Sequence, residues 1–347
     1  MEQGKRHLAG LFPEEIESQL DGVPAFRTRQ IFTWLHKHAV GSFRHMHNLP
    51  QDLIKLLEEV YQQVWPLELV TTRVSTDGTE KYLFALSDGG AVETVLLPEE
   101  DRQTLCISTQ VGCAMNCSFC ATGRSGYERN LTAGEIVAQV LYVQHRLRAE
   151  GKTLSNIVYM GMGEPLANYE AVLKSARLLN HPLGLNLGAR RLTISTCGLA
   201  PQIRDLAEED LQINLAVSLH AVEDGYRSEI MPINKRYPLG ELLAACDYYT
   251  QRTNRRISYE YALISGFNDH PQHAEELGKL LQGRLCHVNL IPINPVGKEE
   301  RPTAQRIAAF AQVLERMRIP VSIRKERGTD IEAACGQLRQ RSLEGWS

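Results

Sequence analysis

No apolar run in the sequence approaches the ~18 residues that a membrane-spanning helix needs. The N-terminus, MEQGKRHLAG, is polar and lacks the apolar core of a secretory signal. Together these absences predict a cytoplasmic location and no membrane partner. Net charge is also scarce. Thirty-eight Lys and Arg stand against 41 Asp and Glu, a formal −3, so a polyanion would have to be met by local basic patches rather than by a global field. Cysteine, by contrast, is plentiful: Cys106, Cys113, Cys117, Cys120, Cys197, Cys246, Cys286 and Cys335. In a reducing compartment such a set argues for metal binding or catalysis rather than disulfides. A hydrophobic fraction of 43% and a charged fraction of 23% are ordinary for a soluble globular chain. The 347 residues suffice for one large domain and a small appendage.

The first 66 residues read as helical, with amphipathic stretches at Pro13–Leu20, Phe26–His38 and Gln51–Val64 punctuated by Pro24, Gly41, Pro50 and Pro66. Residues 67–97 read as a linking hairpin, with Lys81–Leu86 and Val92–Leu97 flanking the turn Asp88-Gly89-Gly90. From residue 98 to 340 strands alternate with helices, and 341–347 is left as a tail. The predicted strands are 104–109, 156–161, 191–196, 213–219, 257–264, 286–291 and 321–326; the helices are 132–150, 168–180, 238–252, 271–283 and 302–317. Such alternation implies an α/β fold with a mainly parallel sheet. About six such units would close partly into a barrel, with chemistry on the loops at the C-terminal ends of the strands.

The sharpest local signal is Cys113-Ala-Met-Asn-Cys117-Ser-Phe-Cys120. Three thiolates spaced C-x3-C-x2-C can hold one corner of an iron–sulfur cubane, which usually takes four thiolates. One iron is then open to a substrate. Zinc is the competing reading. It usually takes paired C-x2-C or His partners, and no second pair is present, although a distant histidine could complete a site.

This loop, placed after the first strand of a partial barrel, resembles the radical S-adenosylmethionine (SAM) superfamily. The resemblance implies a partial (β/α)6 barrel, a 4Fe-4S cluster on Cys113, Cys117 and Cys120, and SAM bound to the open iron. Gly161-Met162-Gly163-Glu164-Pro165 resembles the superfamily's loop for the SAM amino group, with Gly163, Glu164 and Pro165 as contacts. It is not a dinucleotide fingerprint, because Leu166 stands at the third glycine position. Ser195, Ser218, Leu219, His220 and Asn294-Pro295 close strands on the same expected rim, where small polar groups suit ribose or carboxylate oxygens.

Over nearly the whole chain the resemblance narrows to the RlmN/Cfr family, through FRTRQIFTWL, VETVLLPEEDRQTLCISTQVGCAMNCSFCATG, GMGEPLANY, INLAVSLHA, EIMPINKRYP, CHVNLIPINP and GTDIEAACGQL. It implies an RNA adenosine methyltransferase using two SAM per turnover. Cys335 is then the cysteine that becomes S-methylated, Cys106 its resolving disulfide partner, and Glu93 the proton acceptor. The implied substrates are 23S rRNA at the peptidyl-transferase centre and, for the RlmN branch, tRNA beside the anticodon. An external flavodoxin- or ferredoxin-like reductant and a monomeric enzyme are expected. Cys246 and Cys286 read as core residues, and Cys197 stays ambiguous beside an expected SAM contact.

Between Asp21 and Asp52 no acidic residue occurs, while Arg27, Arg29, Lys37, Arg44, His36, His38, His45, His47, Phe26, Phe32, Trp34 and Phe43 do. Such a stretch is able to grip phosphates and stack bases, or simply to pack a helix core. A second basic group, Arg324, Lys325, Arg327, Arg339 and Arg341, brackets Cys335. Methylation at C2 is the first reading. C8 methylation of the Cfr type is the second, and a metal-stabilised RNA-binding protein without catalysis is the alternative of another class. A radical enzyme acting on a small molecule would leave Cys335 and the N-terminal region without roles.

Overall fold

The computed structural model describes residues 7–61, 63–294, 296 and 299–338. Pro295, Arg339, Arg341 and the 341–347 tail lie outside the described residues. Short helices open the chain: α1 (Pro13–Glu17), α2 (Ala25–Phe32) and α3 (Gln51–Tyr61). The predicted helix 26–38 is broken into α2 and a π-helical turn, Thr33–Lys37, which ends with Ala39 at φ +49°. Ile31, Phe32, Leu35 and His36 from this segment are buried, so the apolar spacing reflects packing.

A ten-stranded sheet dominates the rest. Its antiparallel limb is β1 (Leu67–Val74), β2 (Glu80–Leu86), β3 (Ala91–Glu99) and β4 (Arg102–Cys106). A two-stranded ribbon of β5 (Gln110–Gly112) and β6 (Tyr127–Asn130) stands apart. From β4 the sheet continues in parallel through β7 (Asn156–Tyr159), β8 (Leu192–Thr196), β9 (Asn214–Ser218), β10 (Ile257–Leu263), β11 (Cys286–Pro292) and β12 (Val321–Ile323). The crossover helices include α5 (Ala133–Ala149), α6 (Tyr169–Asn180), α9 (Leu239–Thr253), α10 (Pro271–Leu281) and α11 (Ala304–Arg316), close to their predicted limits. The chemistry of α5's start explains its boundary: Thr132 caps the Glu135 N–H while Glu135 returns a bond to the Thr132 N–H.

The stretch 67–97, expected as a linker, is instead three strands of the main sheet. β3 pairs with β2 through residues 91–96 and with β4 through residues 95–99, so the hairpin forms one wall of the barrel. β1 escaped the pattern because its outer face is exposed and mixed, LELVTTRV. The short α4 (Ala121–Arg124) follows the cysteine loop; between β8 and β9 lies the eight-residue α7 (Ala200–Ala207), and after β9 the seven-residue α8 (Asp224–Ile230). All three are too short for helical periodicity to stand out. No helix among the described residues is long and apolar enough to cross a membrane.

His36 is fully buried, with its ring stacked on Phe32 at 4.1 Å. Burial first, and His181 second, push its imidazole down from 6.5 to about 3. Below pH 6.5 the unfolded chain therefore takes up a proton that the native state refuses, and stability falls as pH drops towards 3. His36→Phe should lose about 2 kcal/mol less than the parent between about pH 7 and about pH 5 in urea melts. Equal losses would contradict this assignment.

Candidate active site

The C-terminal ends of the parallel strands surround a cavity of about 460 Å³. Cys106 enters it from β4, Gly161 from the loop after β7, Ser195 from β8, Ser218 from β9, Glu260 from β10, and Asn294 from beyond β11. This is the rim at which a parallel barrel places its chemistry.

The three-cysteine loop leaves β5 through Gly112 at φ +74°, where a Cβ would sit 2.0 Å from the Gly126 carbonyl oxygen. Backbone bonds then shape it. The Cys113 N–H donates to Gly126 O at 2.7 Å, Cys120 N–H to Cys117 O at 3.2 Å, and Ser118 N–H to Ile230 O at 3.0 Å. Gly123 packs underneath, where a Cβ would lie 3.0 Å from Cys117 N. All three cysteines line the cavity. Among the described residues, no three of His, Cys, Asp and Glu are gathered as ligands to a single metal ion. The loop's fit to a cluster rests instead on its donors: burial, then repulsion from neighbouring acids and thiols, pushes Cys113 up to about 12 and raises Cys117 and Cys120 too. Thiolates here need positive charge beside them, which iron ions supply.

Glu164 is 3% exposed and lines the cavity. Its Oε1 accepts from Leu166 N–H at 3.0 Å and its Oε2 from Cys197 N–H at 2.7 Å. Burial raises its proton affinity against these bonds, so a ligand ammonium would be its natural complement. The glycines on either side serve packing as much as binding. A Cβ on Gly161 would meet Ile107 O at 2.7 Å, and one on Gly163, at φ +104°, would meet Gln110 Cβ at 2.6 Å.

His220, at φ +59°, accepts the Ala262 N–H on Nδ1 at 2.9 Å. Burial, then the Arg227 charge, pushes its imidazole down to about 3. It is thus neutral, and its one proton must sit on Nε2. Leu219 behaves differently from expectation. Its side chain is fully buried, it does not line the cavity, and its carbonyl already accepts from Arg227 and Ala221. Pro165, Ser195, Ser218 and Asn294 do line it.

Cys335 and Cys106 both face the cavity, the first exposed and the second buried. All eight cysteines are free thiols. Burial first, and Cys335 second, push Cys106 up to about 12, opposed by Arg324. Arg324 is itself held charged by Cys335 and, more weakly, by Glu260 and Cys106. Glu93 is not among the cavity-lining residues; it is 1% exposed and paired with Lys81 at 3.2 Å.

Sequence reading missed the residue that ties the rim together. Arg227 is fully buried and donates to Leu219 O at 3.0 Å, Cys197 O at 2.7 Å, Ser218 O at 3.0 Å and Asn234 Oδ1 at 2.9 Å. Glu260 was also missed, although a carboxylate inside the apolar run ISYEYALI is a legible flag.

Comparison with known proteins fits this geometry. Residues 107–277 match the radical SAM superfamily, and residues 15–62 match the ribosomal RNA large subunit methyltransferase N-terminal domain. The "probable dual-specificity RNA methyltransferase RlmN" of Desulfitobacterium hafniense DCB-2 is 51% identical over 333 residues, covering 93% of this chain and 92% of that protein. The protein of the same name from Staphylococcus carnosus TM300 is 46% identical over 344 residues, covering 98% and 94%. The chain belongs to the RlmN family. A crystal structure of a radical SAM methyltransferase from Sphaerobacter thermophilus superposes with a TM-score of 0.94 at 50% identity, covering 96% of this chain and 99% of that one. RlmN-family membership removes the catalysis-free reading and the lone-zinc reading of the cysteine loop. A 4Fe-4S cluster and SAM are its cofactors.

Arg227→Met should remove the guanidinium donor from the Cys197, Ser218 and Leu219 carbonyls, of which Leu219 O keeps the Ala221 N–H. The expected cost is about 3 kcal/mol or more, read from the urea midpoint of the full chain. A loss under about 1 kcal/mol would show that the rim does not rely on this guanidinium.

Proposed function

We propose that this RlmN-family enzyme methylates C2 of an adenosine in 23S rRNA and in tRNA, passing the methyl through Cys335 and using two SAM per turnover. The observation that carries the reading is the convergence of Cys335, Cys106 and the three-thiol loop on one cavity. An adenine C2 lies between two ring nitrogens and is too electron-poor to attack a sulfonium methyl, so a polar transfer is closed to it. Bound in this cavity, the cluster and SAM supply first an electrophilic methyl and then a carbon radical that abstracts hydrogen.

The chain's own residues divide the remaining work. Cys335 is exposed and takes the methyl as a thiolate. Its carbonyl accepts from Asn294 Nδ2 at 3.2 Å, which holds the carrier sulfur over the cavity. Glu164 receives the SAM ammonium, and the Nε2 proton of neutral His220 is a fixed donor for a SAM oxygen. Once the adduct has given its unpaired electron back to the one-electron carrier, Glu93 takes the proton shed by the substituted adenine carbon. Cys106 then attacks the Cys335 sulfur: an S–S bond forms, the S–C bond breaks, and its electron pair goes to the methylene carbon, which takes a proton and leaves as methyl. Deep burial keeps Cys106 a thiol until Arg324 and the departing adduct favour its ionisation. A flavodoxin- or ferredoxin-like donor supplies electrons, and an external reductant reopens the disulfide.

For the RNA, the N-terminal patch is smaller than its sequence suggests. Phe32, Phe43 and His36 are core residues. Phe26 is 55% exposed with the Arg27 guanidinium 4.8 Å above its ring. Trp34, its ring 4.6 Å from that of His38 and tilted 44° to it, sits in a shallow pocket with Arg29 and Asn48. These groups suit a phosphate and an unpaired base. The target base must reach the cavity flipped out of its stack. C8 methylation falls behind, because the relatives named above carry the RlmN name.

Nucleoside mass spectrometry of rRNA and tRNA from a deletion strain tests the reading. The parent gene should restore 2-methyladenosine, and Cys335→Ala should restore none while its purified protein still cleaves SAM under reduction. Appearance of 8-methyladenosine, or normal methylation by Cys335→Ala, would overturn it.

A further inference from the structure

The register of the β2–β3 pair places a cation beside the proposed base. Lys81 on β2 stands opposite Val95 on β3. Val95 and Leu97 face the cavity, and the two-residue period of a strand puts Glu93 on that same face. Lys81 and Glu93 are thus diagonal neighbours across the ladder. Both side chains are buried, at 2% and 1% exposure, and Lys81 Nζ lies 3.2 Å from Glu93 Oε1.

The same ammonium has a second partner. Lys81 Nζ donates to the backbone carbonyl of Glu332 at 3.0 Å, three residues before Cys335. That loop is also tied to the β1–β2 turn at two points. Asp330 accepts from Ser75 Oγ at 2.6 Å and Thr76 N–H at 3.1 Å, and the Gly328 N–H donates to Asp77 Oδ2 at 2.9 Å. One buried charge therefore bridges the proton acceptor and the segment that carries the methyl.

We propose that Lys81 is a positioning residue that keeps the Glu93 carboxylate ionised and fixes it relative to the Cys335 loop. This rests on the reading of Glu93 as the proton acceptor. A carboxylate withdrawn from water needs a counter-charge, or it neutralises by binding a proton. A carboxylic acid has no basicity to offer an adenine C–H. With Lys81 in place, and once the ring adduct has given its unpaired electron to a one-electron acceptor (the iron–sulfur cluster that the reaction uses), the C–H electron pair returns to the ring, the ring regains its aromatic system, and the proton goes to Glu93. The elements around the pair also carry Glu80 and Tyr82 on β2, which bond with each other and with Arg146, Glu99 on β3, Arg102 and Cys106 on β4, Arg324, Lys325, Glu326 and Arg327 after β12, and Asp330, Glu332 and Cys335 on the loop.

The test uses the full-length, cluster-loaded enzyme with SAM, reductant and RNA, and reads the covalent protein–RNA adduct on denaturing gels. Lys81→Gln should accumulate adduct, with RNA release slowed about 100-fold. An unfolded enzyme makes no adduct, so accumulation is its own folding control. Without the cation, Glu93 ionises only as pH rises. The ratio of variant to parent release should therefore climb about tenfold between about pH 6.5 and about pH 9. Lys81→Arg keeps the charge and should release RNA with the parent's pH profile.

A Lys81→Gln enzyme that releases RNA like the parent, or whose deficit is independent of pH, would overturn the proposal. So would a Lys81→Arg enzyme showing the alkaline rise. Glu93→Gln separates the two levels. If it traps adduct and Lys81→Gln does not, only the role of Lys81 fails; if it releases RNA normally, the role of Glu93 fails and that of Lys81 with it.

Discussion

After β12 the chain crosses the mouth of the cavity and is tied by backbone groups to both of its walls. The Ala121 N–H, next to the last cluster cysteine, donates to Gly336 O at 2.7 Å. Thr122 Oγ1 donates to Leu338 O, and Asn294 Nδ2 to Cys335 O. On the opposite wall the same segment meets Ser75, Asp77 and Lys81. Without this crossing, Cys335 would be one exposed thiol near a chain end. With it, the thiol faces both Cys106 and the loop that would hold the cluster. Apart from Asp330, whose carboxylate accepts from Ser75 and Thr76, the segment is held at these points through its own backbone groups.

The walls are rigid for a reason that is also electrostatic. Arg227 is a full charge buried behind β8 and β9, and it is tolerable because its donors meet carbonyls and Asn234. Those same bonds fix the strand ends that carry Ser218 and Cys197. Glu164 and His220, buried nearby, are likewise held by backbone N–H donors. Each polar group at the rim thus arrives oriented, and a bound ligand completes a bond set rather than creating one.

Much of this was legible beforehand. The strands from 104 onward were found because branched residues alternate with amphipathic helical stretches, and the cysteine loop was found because thiolate spacing is chemically narrow. The hairpin 81–97 was seen as a hairpin but not as a wall, since nothing local records that β3 pairs with β4. Lys81 and Arg227 were passed over for a related reason. Each looks like an ordinary surface charge in sequence, and its burial is decided by tertiary partners far along the chain, Glu332 for one and Cys197 for the other. In the N-terminal stretch, composition listed every cation and aromatic alike. Packing then divided them, taking Phe32, His36 and Phe43 inside and leaving Phe26, Arg27 and Trp34 at the surface.

The central claim is that Cys335 and Cys106 share one cavity with the three-thiol loop. Peptide mass spectrometry of the anaerobically prepared, cluster-loaded enzyme after treatment with one equivalent of a mild thiol oxidant tests it most directly. The account predicts a dominant Cys106–Cys335 cross-link, with Cys246 and Cys286 left reduced. Cys335 remaining free, or pairing elsewhere while Cys106 stays reduced, would contradict it.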